Sequence, residues 1–219
     1  MPNRSFRKML PHVLWDAMSA SLMPYGFKLR KSKGHLVRRS NGRMEVFGLV
    51  IIDYPPTFFV RPWAGIRFAV VEKLFHLVSG FNPEYQDATR TVGVDFWRIH
   101  GQMGFDIPLQ NSADITSVTT RLQTIYHEYA EPFFAQFRTL ADVDFALNCE
   151  PRQRCVYGGL PHNRCFRGTI IAKLVGRENF NEIVAVYRTF LQTFNNGHFL
   201  PSFEMLLEPL RDIHPNGLL

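Results

Sequence analysis

The chain has 219 residues, of which 46% are hydrophobic and 20% are charged, a composition that supplies a substantial core and excludes global disorder. Its net charge of +6 is uneven: residues 1–43 hold ten Lys and Arg residues against one acid, so they carry +9 and residues 44–219 carry −3. This asymmetry indicates an acidic partner. No run of eighteen apolar residues is present, which excludes a membrane-spanning helix.

The first predicted element is a helix over residues 6–23 that ends at Pro24 and Gly26. Its apolar residues recur at steps of three and four and form one face: Val13, Leu14, Ala17, Met18 and Leu22. The basic start of this segment does not predict a signal peptide, because Pro11, His12 and Asp16 interrupt the apolar run that such a peptide needs.

Strands are predicted next, at residues 27–31, 35–40, 44–53 and 57–60. Asn41-Gly42 predicts a tight hairpin turn, because both central residues of such a turn need a positive φ. The strand over residues 44–53 is apolar on both faces, which predicts a central strand that is covered on both sides. Pro62 places the end of the last strand at an edge or a loop.

A helix over residues 68–79 and a long strand over residues 89–100 are predicted to follow. From there the pattern becomes helical, with Asp114 as the expected N-cap of a helix that runs to Pro132. Further helices are expected at 139–148, 166–175, 181–194 and 202–213, with a loop over 150–163.

The predicted fold class is therefore α+β, with a leading helix on a mostly antiparallel sheet and a helical C-terminal half. Residues 1–110 are expected to form the helix and sheet, and residues 111–219 a mainly helical extension. Because no long polar linker separates the two parts, the sequence predicts a single domain over residues 1–219.

The helix end Leu22-Met23-Pro24-Tyr25-Gly26-Phe27 is followed by a basic strand, the Arg38-Arg39 strand and an apolar strand. This order resembles bacterial proteins that share domain of unknown function 4304, over about residues 10–137. The resemblance implies a cytosolic α+β fold, and it implies no activity, substrate or site residues. The segment from residue 138 onward lies outside it.

The three cysteines are an odd number at wide spacing, which favours reduced thiols in the cytosol over a disulfide framework. Cys149, Cys155, His162 and Cys165 have the chemistry of zinc ligands, yet they lack the close C-x₂-C pairs of structural zinc sites. The preferred interpretation is that these thiols lie in a loop and bind no metal.

Three other motifs are weak candidates for chemistry. His127 and Glu131 share a helix face at i, i+4 spacing, as a metal pair requires, but a solvated polar face explains them better. Asp95 and Trp97 alternate along a predicted strand with His100 nearby, but no nucleophile motif accompanies them. Ser5-Phe6-Arg7-Lys8 matches S-x-x-K by letter alone, and no nucleotide-binding glycine loop is present.

The remaining candidate is the basic segment over residues 28–43. Its candidate binding residues are Lys28, Arg30, Lys31, Lys33, Arg38 and Arg39. Strand alternation places Lys31 and Lys33 opposite Lys28 and Arg30, and it places Arg38 and Arg39 on opposite sides. Charged edge strands that prevent aggregation are the favoured interpretation over a nucleic-acid surface, since Phe27 and Tyr25 are the only nearby aromatic residues.

The sequence thus favours a non-enzymatic cytoplasmic bacterial protein that binds another protein and uses no cofactor, metal or membrane. Two alternatives stay open: a nucleic-acid-binding protein that uses the basic segment, and an unrecognised hydrolase or metal enzyme built around Asp95, His100, His127 or the cysteine loop. The oligomeric state cannot be predicted from the sequence.

Overall fold

The structure, a computed structural model, is described over residues 4–101 and 104–214, with side chains from residue 9 onward. Its helices are α1 Arg4–Leu22, α2 Ala69–Phe75, α3 Pro83–Gln86, α4 Phe96–His100, α5 Asp114–Ile125, α6 Glu131–Gln136, α7 Leu140–Asn148, α8 Pro161–Leu174, α9 Phe180–Thr193 and α10 Leu200–Arg211. Its strands are β1 Lys28–Arg30, β2 His35–Ser40, β3 Arg43–Tyr54, β4 Thr57–Phe68, β5 Val92–Asp95 and β6 Ile107–Leu109. The predicted α+β class, with an N-terminal helix and a helical C-terminal half, is confirmed.

The strands form one sheet in the order β1-β2-β3-β4-β5, and β6 pairs with β4. The β1–β2, β2–β3 and β4–β6 pairs are antiparallel. The predicted hairpin turn joins β2 to β3: Asn41 and Gly42 have φ values of 38° and 75°, and Ser40 pairs with Arg43.

Helix α1 is amphipathic because its buried residues recur at every fourth position. Leu10, Leu14, Met18 and Leu22 are all buried. After Leu22 the chain tightens into a single 3₁₀ turn, and Gly26, with a φ of 82°, donates its N–H to the Met23 carbonyl. This turn directs the chain into β1.

Two strand predictions in the centre of the chain are wrong. The strand predicted over residues 57–60 continues past Pro62 to Phe68. The pairing with β6 covers residues 58–60 and so ends before Pro62. The strand predicted over residues 89–100 is limited to Val92–Asp95, and the next five residues form the short helix α4.

The two-sided burial expected over residues 44–53 holds only for part of β3. Residues 44–49 are buried, whereas Val50 is exposed. The strand is therefore central at its start and open to solvent towards its end.

Several helix boundaries also differ from the predictions. Helix α2 ends at Phe75, before the expected 79, and α8 starts at Pro161, inside the expected loop, because proline suits the first turn of a helix. Asp114 is not the N-cap of α5 but lies in its first turn, where its Oδ2 accepts the backbone N–H groups of Gln110 and Asn111. Pro132 does not stop a helix and lies in the first turn of α6.

The chain divides into two units, each made of two chain segments. Unit 1 comprises Met1–Gly65 and Val94–Ala135, and unit 2 comprises Ile66–Gly93 and Gln136–Leu219. The prediction of a single domain stays a prediction.

Candidate functional site

The candidate cations of β1 and β2 are divided between the two faces of the sheet. Lys28 pairs with Val37, Arg30 with His35, and Arg39 with Met44. Since paired residues share a face and alternate residues of one strand do so too, Lys28, Arg30 and Arg39 lie on one face. Arg38 lies on the opposite face, as strand alternation predicts.

Lys31 and Lys33 do not continue a strand, so the face predicted for them is wrong. They lie in a 3₁₀ turn over Lys31–Lys33 that closes at Gly34, whose φ is 60°. Lys31 Nζ lies 3.2 Å from Asp16 Oδ1, but the two side chains are 78% and 64% exposed. An ion pair this exposed contributes little stability, so Lys31 is available to a partner.

Arg38 is held within unit 1 by three contacts. Its Nε donates to Glu45, its Nη1 donates to the Tyr25 carbonyl at 3.0 Å, and its guanidinium lies 4.9 Å from the centre of the Phe27 ring. Burial works against its charge, but the Glu45 carboxylate outweighs burial and raises the pKa of Arg38. Arg38 is therefore bonded within the protein, and it lies on the opposite face of the sheet from Lys28, Arg30 and Arg39.

We call Lys28, Lys31, Lys33 and Arg39 the basic edge. Lys28, Lys31 and Arg39 are exposed, and Lys33 is half-buried. The aromatic neighbour Phe27 is only 1% exposed and offers no ring to a nucleic-acid base. Phe27 therefore gives the basic edge no stacking platform, whereas the ring of Tyr25 is 38% exposed.

A second group of side chains lies where the sequence predicted only a polar helix face. Between α5 and α6 the helix widens into a π-turn over Tyr126–Ala130. His127 Nδ1 lies 3.2 Å from Glu131 Oε2, so the predicted i, i+4 pair is present, and both side chains are exposed. The Tyr25 ring packs against Tyr126 and His127, with centroid distances of 5.4 and 5.0 Å.

Tyr126 is the buried centre of this group, which we call the Tyr126 cluster: Tyr25, Arg38, Glu45, Tyr126, His127 and Glu131. Its ring is 0% exposed and packs edge-on against Phe27 and Phe47. Its hydroxyl is buried and has no hydrogen-bond partner among the described residues. Burial raises the pKa of Tyr126 to about 12, so the hydroxyl keeps its proton at neutral pH. The sequence singled out His127, Glu131 and Arg38 but not their placement around Tyr126, because a π-turn has no simple sequence signature.

The residues predicted around Asp95 are not assembled into an acid–base pair. Asp95 ends β5, and its carboxylate lies 3.4 Å from the Nε of Arg98. His100 packs instead against Phe105 and Tyr129, and the Trp97 ring lies under two arginines. The motif Ser5–Lys8 lies outside the described side chains.

The cysteine stretch is dispersed in unit 2. Cys149 is exposed, the thiol of Cys155 lies against the Ala146 carbonyl, and the thiol of Cys165 lies against the Pro161 carbonyl. His162 stacks on Phe199 at a centroid distance of 3.9 Å. Over the part of the chain that the structure describes, no three His, Cys, Asp or Glu side chains are placed to hold a metal ion.

Unit 2 contains a buried polar network that sequence reasoning missed. Glu72 of α2 is fully buried, and Arg167 of α8 donates to both of its carboxylate oxygens at 2.8 and 2.9 Å. The Thr91 hydroxyl donates to the same carboxylate, and the Arg167 guanidinium lies 4.0 Å from the centre of the Phe75 ring. Glu72, Thr91 and Arg167 are all buried and bonded to one another, which indicates a structural role.

The chain matches no family model, no curated protein and no solved structure. None of its described helices is both long enough and apolar enough to cross a bilayer.

Proposed function

We propose that the chain is a non-enzymatic bacterial protein of the cytoplasm that binds an acidic protein through its basic edge. The observation that carries this proposal is the shared, exposed placement of Lys28 and Arg39 on one face of the sheet. Lys31 is exposed in the turn that follows β1, so the positive charge of residues 1–43 is open to a partner there.

A protein partner is favoured over a nucleic acid by the burial of the nearby ring. Proteins that bind single strands stack bases on aromatic side chains, and Phe27 is packed away from the surface. The four cations suit the carboxylates of a protein surface.

Two further parts of the proposal concern origin and compartment. We propose membership of the family of domain of unknown function 4304, supported by the end of α1 at Leu22, the turn at Gly26 and the β1–β3 order that follows. The three cysteines are free thiols, which supports a reducing cytoplasm.

The test is capture of partners from a nuclease-treated bacterial lysate on three forms of the full chain. These are the natural sequence, K28E/R39E, and the control R152E/R154E, which makes the same change in net charge at two exposed arginines of unit 2. We expect K28E/R39E to lose a specific protein by about tenfold and R152E/R154E to keep it, since each desolvated charge pair contributes on the order of 1 kcal/mol.

Two outcomes contradict the proposal. Equal loss in both variants means that net charge, and not the basic edge, attracts the partner. Material that disappears on nuclease treatment, with an affinity that falls steeply and linearly in log salt, identifies a nucleic acid as the partner.

A further inference from the structure

Cys149 and Cys155 approach each other at the C-terminal end of α7. Cys149 follows the last residue of the helix and keeps helical backbone angles, with a φ of −62° and a ψ of −38°. Its backbone N–H donates to the Phe145 carbonyl at 3.0 Å, so it continues the hydrogen-bond pattern of the helix. The loop after α7 then returns to the same turn, where the Sγ atom of Cys155 lies 3.4 Å from the Ala146 carbonyl oxygen.

The Ala146 carbonyl gives the two thiols a common neighbour. A short side chain on an α-helix reaches the carbonyl three or four residues before it, as the hydroxyls of serine and threonine do. From position 149 these carbonyls belong to Ala146 and Phe145. A rotation of the Cys149 side chain towards Ala146 therefore brings its sulfur to within about twice a contact distance of the Cys155 sulfur. The remaining approach to the S–S bond length of about 2 Å is a movement of the loop and leaves α7 in place.

The loop between the two cysteines is open to solvent. Cys149 is exposed and Cys155 is half-buried, whereas Cys165 is buried. Residues 150–154 belong to no helix or strand, and residues 152–154 are exposed. A small oxidant in solution can therefore reach Cys149, and the loop can adjust to the ring that a disulfide would close.

Positive charge surrounds this loop. The described hydrogen bonds of Arg164 all go to backbone carbonyls, and those of Glu150 and Gln153 belong to the loop. Arg152 and Arg154 add two exposed cations against one acid, Glu150. Reactive cysteines occur in partly exposed, electropositive surroundings, because positive charge favours the thiolate, which is the nucleophile.

We propose that Cys149 and Cys155 form a reversible disulfide when hydrogen peroxide oxidises the protein. The Cys149 thiolate attacks one oxygen of the peroxide, so that an S–O bond forms, the O–O bond breaks and hydroxide leaves. The Cys155 thiolate then attacks the sulfur of this sulfenic acid, so that the S–S bond forms, the S–O bond breaks and a second hydroxide leaves. The two hydroxides take up the protons that the two thiols released and become water. Both cysteines lie in unit 2 and the basic edge lies in unit 1, so the failure of either proposal leaves the other intact.

The test treats the reduced full chain with equimolar hydrogen peroxide at neutral pH and then blocks the remaining thiols with N-ethylmaleimide in urea. Peptide mass spectrometry without reduction should find a cross-link between Cys149 and Cys155, with the loss of two hydrogen atoms, and a blocked Cys165. Dithiothreitol should restore both thiols. The absence of this cross-link, or a cross-link to Cys165 in its place, overturns the proposal.

Single variants test the order of the two steps. Cys155→Ser should stop the reaction at the sulfenic acid, which dimedone traps on Cys149. Cys149→Ser should form no sulfenic acid at the same dose of peroxide, since the exposed thiol is absent. Cys165→Ser is the matched control, and its cross-link should form as fast as in the natural chain. Dimedone on Cys155 in Cys149→Ser, at the rate expected for Cys149, would overturn the assignment of Cys149 as the attacking thiol.

A comparison of the folded and unfolded chains separates the effect of the fold from that of sequence spacing. The two cysteines are six positions apart, so an unfolded chain can also close this ring. Glutathione redox buffers measure the effective concentration of the two thiols, without urea and in urea. We expect it to be higher in the folded chain by about tenfold or more, because the fold holds both cysteines beside the Ala146 carbonyl. An equal or lower value in the folded chain means that the fold does not bring the thiols together, and it overturns the proposal.

Discussion

At the scale of single residues, the clearest feature is a carboxylate buried in the apolar stripe of a helix. Glu72 and Arg167 are 95 positions apart in the chain and both are buried. Burial alone would raise the pKa of Glu72, but the charge and hydrogen bonds of Arg167, with help from Thr89 and Arg67, lower it below its ordinary value. The pair is favourable only while both partners are present.

We expect Glu72→Gln to destabilise the protein by about 3–5 kcal/mol, because it leaves the Arg167 charge buried without its carboxylate. Glu204→Gln is the matched control, since Glu204 also accepts two bonds from an arginine, Arg188, but is exposed. Its cost should be below about 1 kcal/mol. Urea unfolding at pH 7 measures both, and equal costs would contradict the assignment of Glu72 as a buried structural anchor.

The lowered pKa of Glu72 also determines how the stability of the protein changes with pH. As the pH falls, the unfolded chain takes up this proton first, so the folded state loses stability from the ordinary glutamate pKa downward. Stability should be fully present at neutral pH and fall as the pH drops below about pH 5. Glu72→Gln should fall less steeply over that range; an unchanged slope would show that other groups cause the loss.

The sequence could locate cations at the residue scale but not their partners. Arg38 and Arg39 are adjacent and chemically identical, yet one is bonded to Glu45 and the Tyr25 carbonyl and the other is exposed. The opposite faces follow from strand alternation. The bonds depend on the register with β3 and on the turn at Tyr25, which no local pattern specifies.

At the scale of elements, the close approach of β3 and β4 depends on one glycine. Gly48 is buried in β3, and a Cβ on it would overlap the ring of Trp63 on β4. Trp63 also packs against the cluster of Val37, Met44 and Val46. The ring thus lies directly over the strand backbone, which only glycine permits.

Gly48→Ala should therefore cost about 1–3 kcal/mol through overpacking. In the background Trp63→Leu, where the ring is absent, the same substitution should cost less than half as much. A double-mutant cycle from urea midpoints measures this coupling. Additive effects of the two substitutions would contradict the packing of Trp63 on Gly48.

Local sequence patterns predicted the elements whose conformation depends on neighbouring residues. They failed for elements whose ends depend on tertiary contacts. The Asn41-Gly42 hairpin follows from residue conformational preferences and is present. Of the stripe predicted for α1, Leu14, Met18 and Leu22 are buried, whereas Val13 is exposed. The alternation of apolar residues continues to Phe96, so it does not predict that β5 ends at Asp95. The π-turn likewise interrupts a pattern that is regular up to Ile125.

At the scale of the whole molecule, the three thiols differ in their exposure to solvent. Cys149 is exposed, Cys155 is half-buried and Cys165 is buried. Burial raises the pKa of the Cys165 thiol to about 12, so it is almost entirely protonated at neutral pH.

We expect iodoacetamide at pH 8 to label Cys149 first, Cys155 more slowly and Cys165 only when the protein unfolds. The thiolate attacks the carbon of the reagent and displaces iodide, and the fold must open before a buried thiol can react. Peptide mass spectrometry over time measures the three rates, and Cys149→Ser should remove the fast phase alone. Labelling of Cys165 as fast as Cys149 would contradict its burial.

The interleaving of the two units has a consequence for biosynthesis. A ribosome delivers Met1–Gly65 first, then Ile66–Gly93, and the second half of unit 1 follows only with Val94–Ala135. Unit 1 can close once that last segment has left the exit tunnel, whereas the apolar side chains of residues 66–93 must wait for Gln136–Leu219. During translation the nascent chain therefore passes through a stage with one finished unit and one unpaired apolar segment, which is the kind of surface that ribosome-associated chaperones shield.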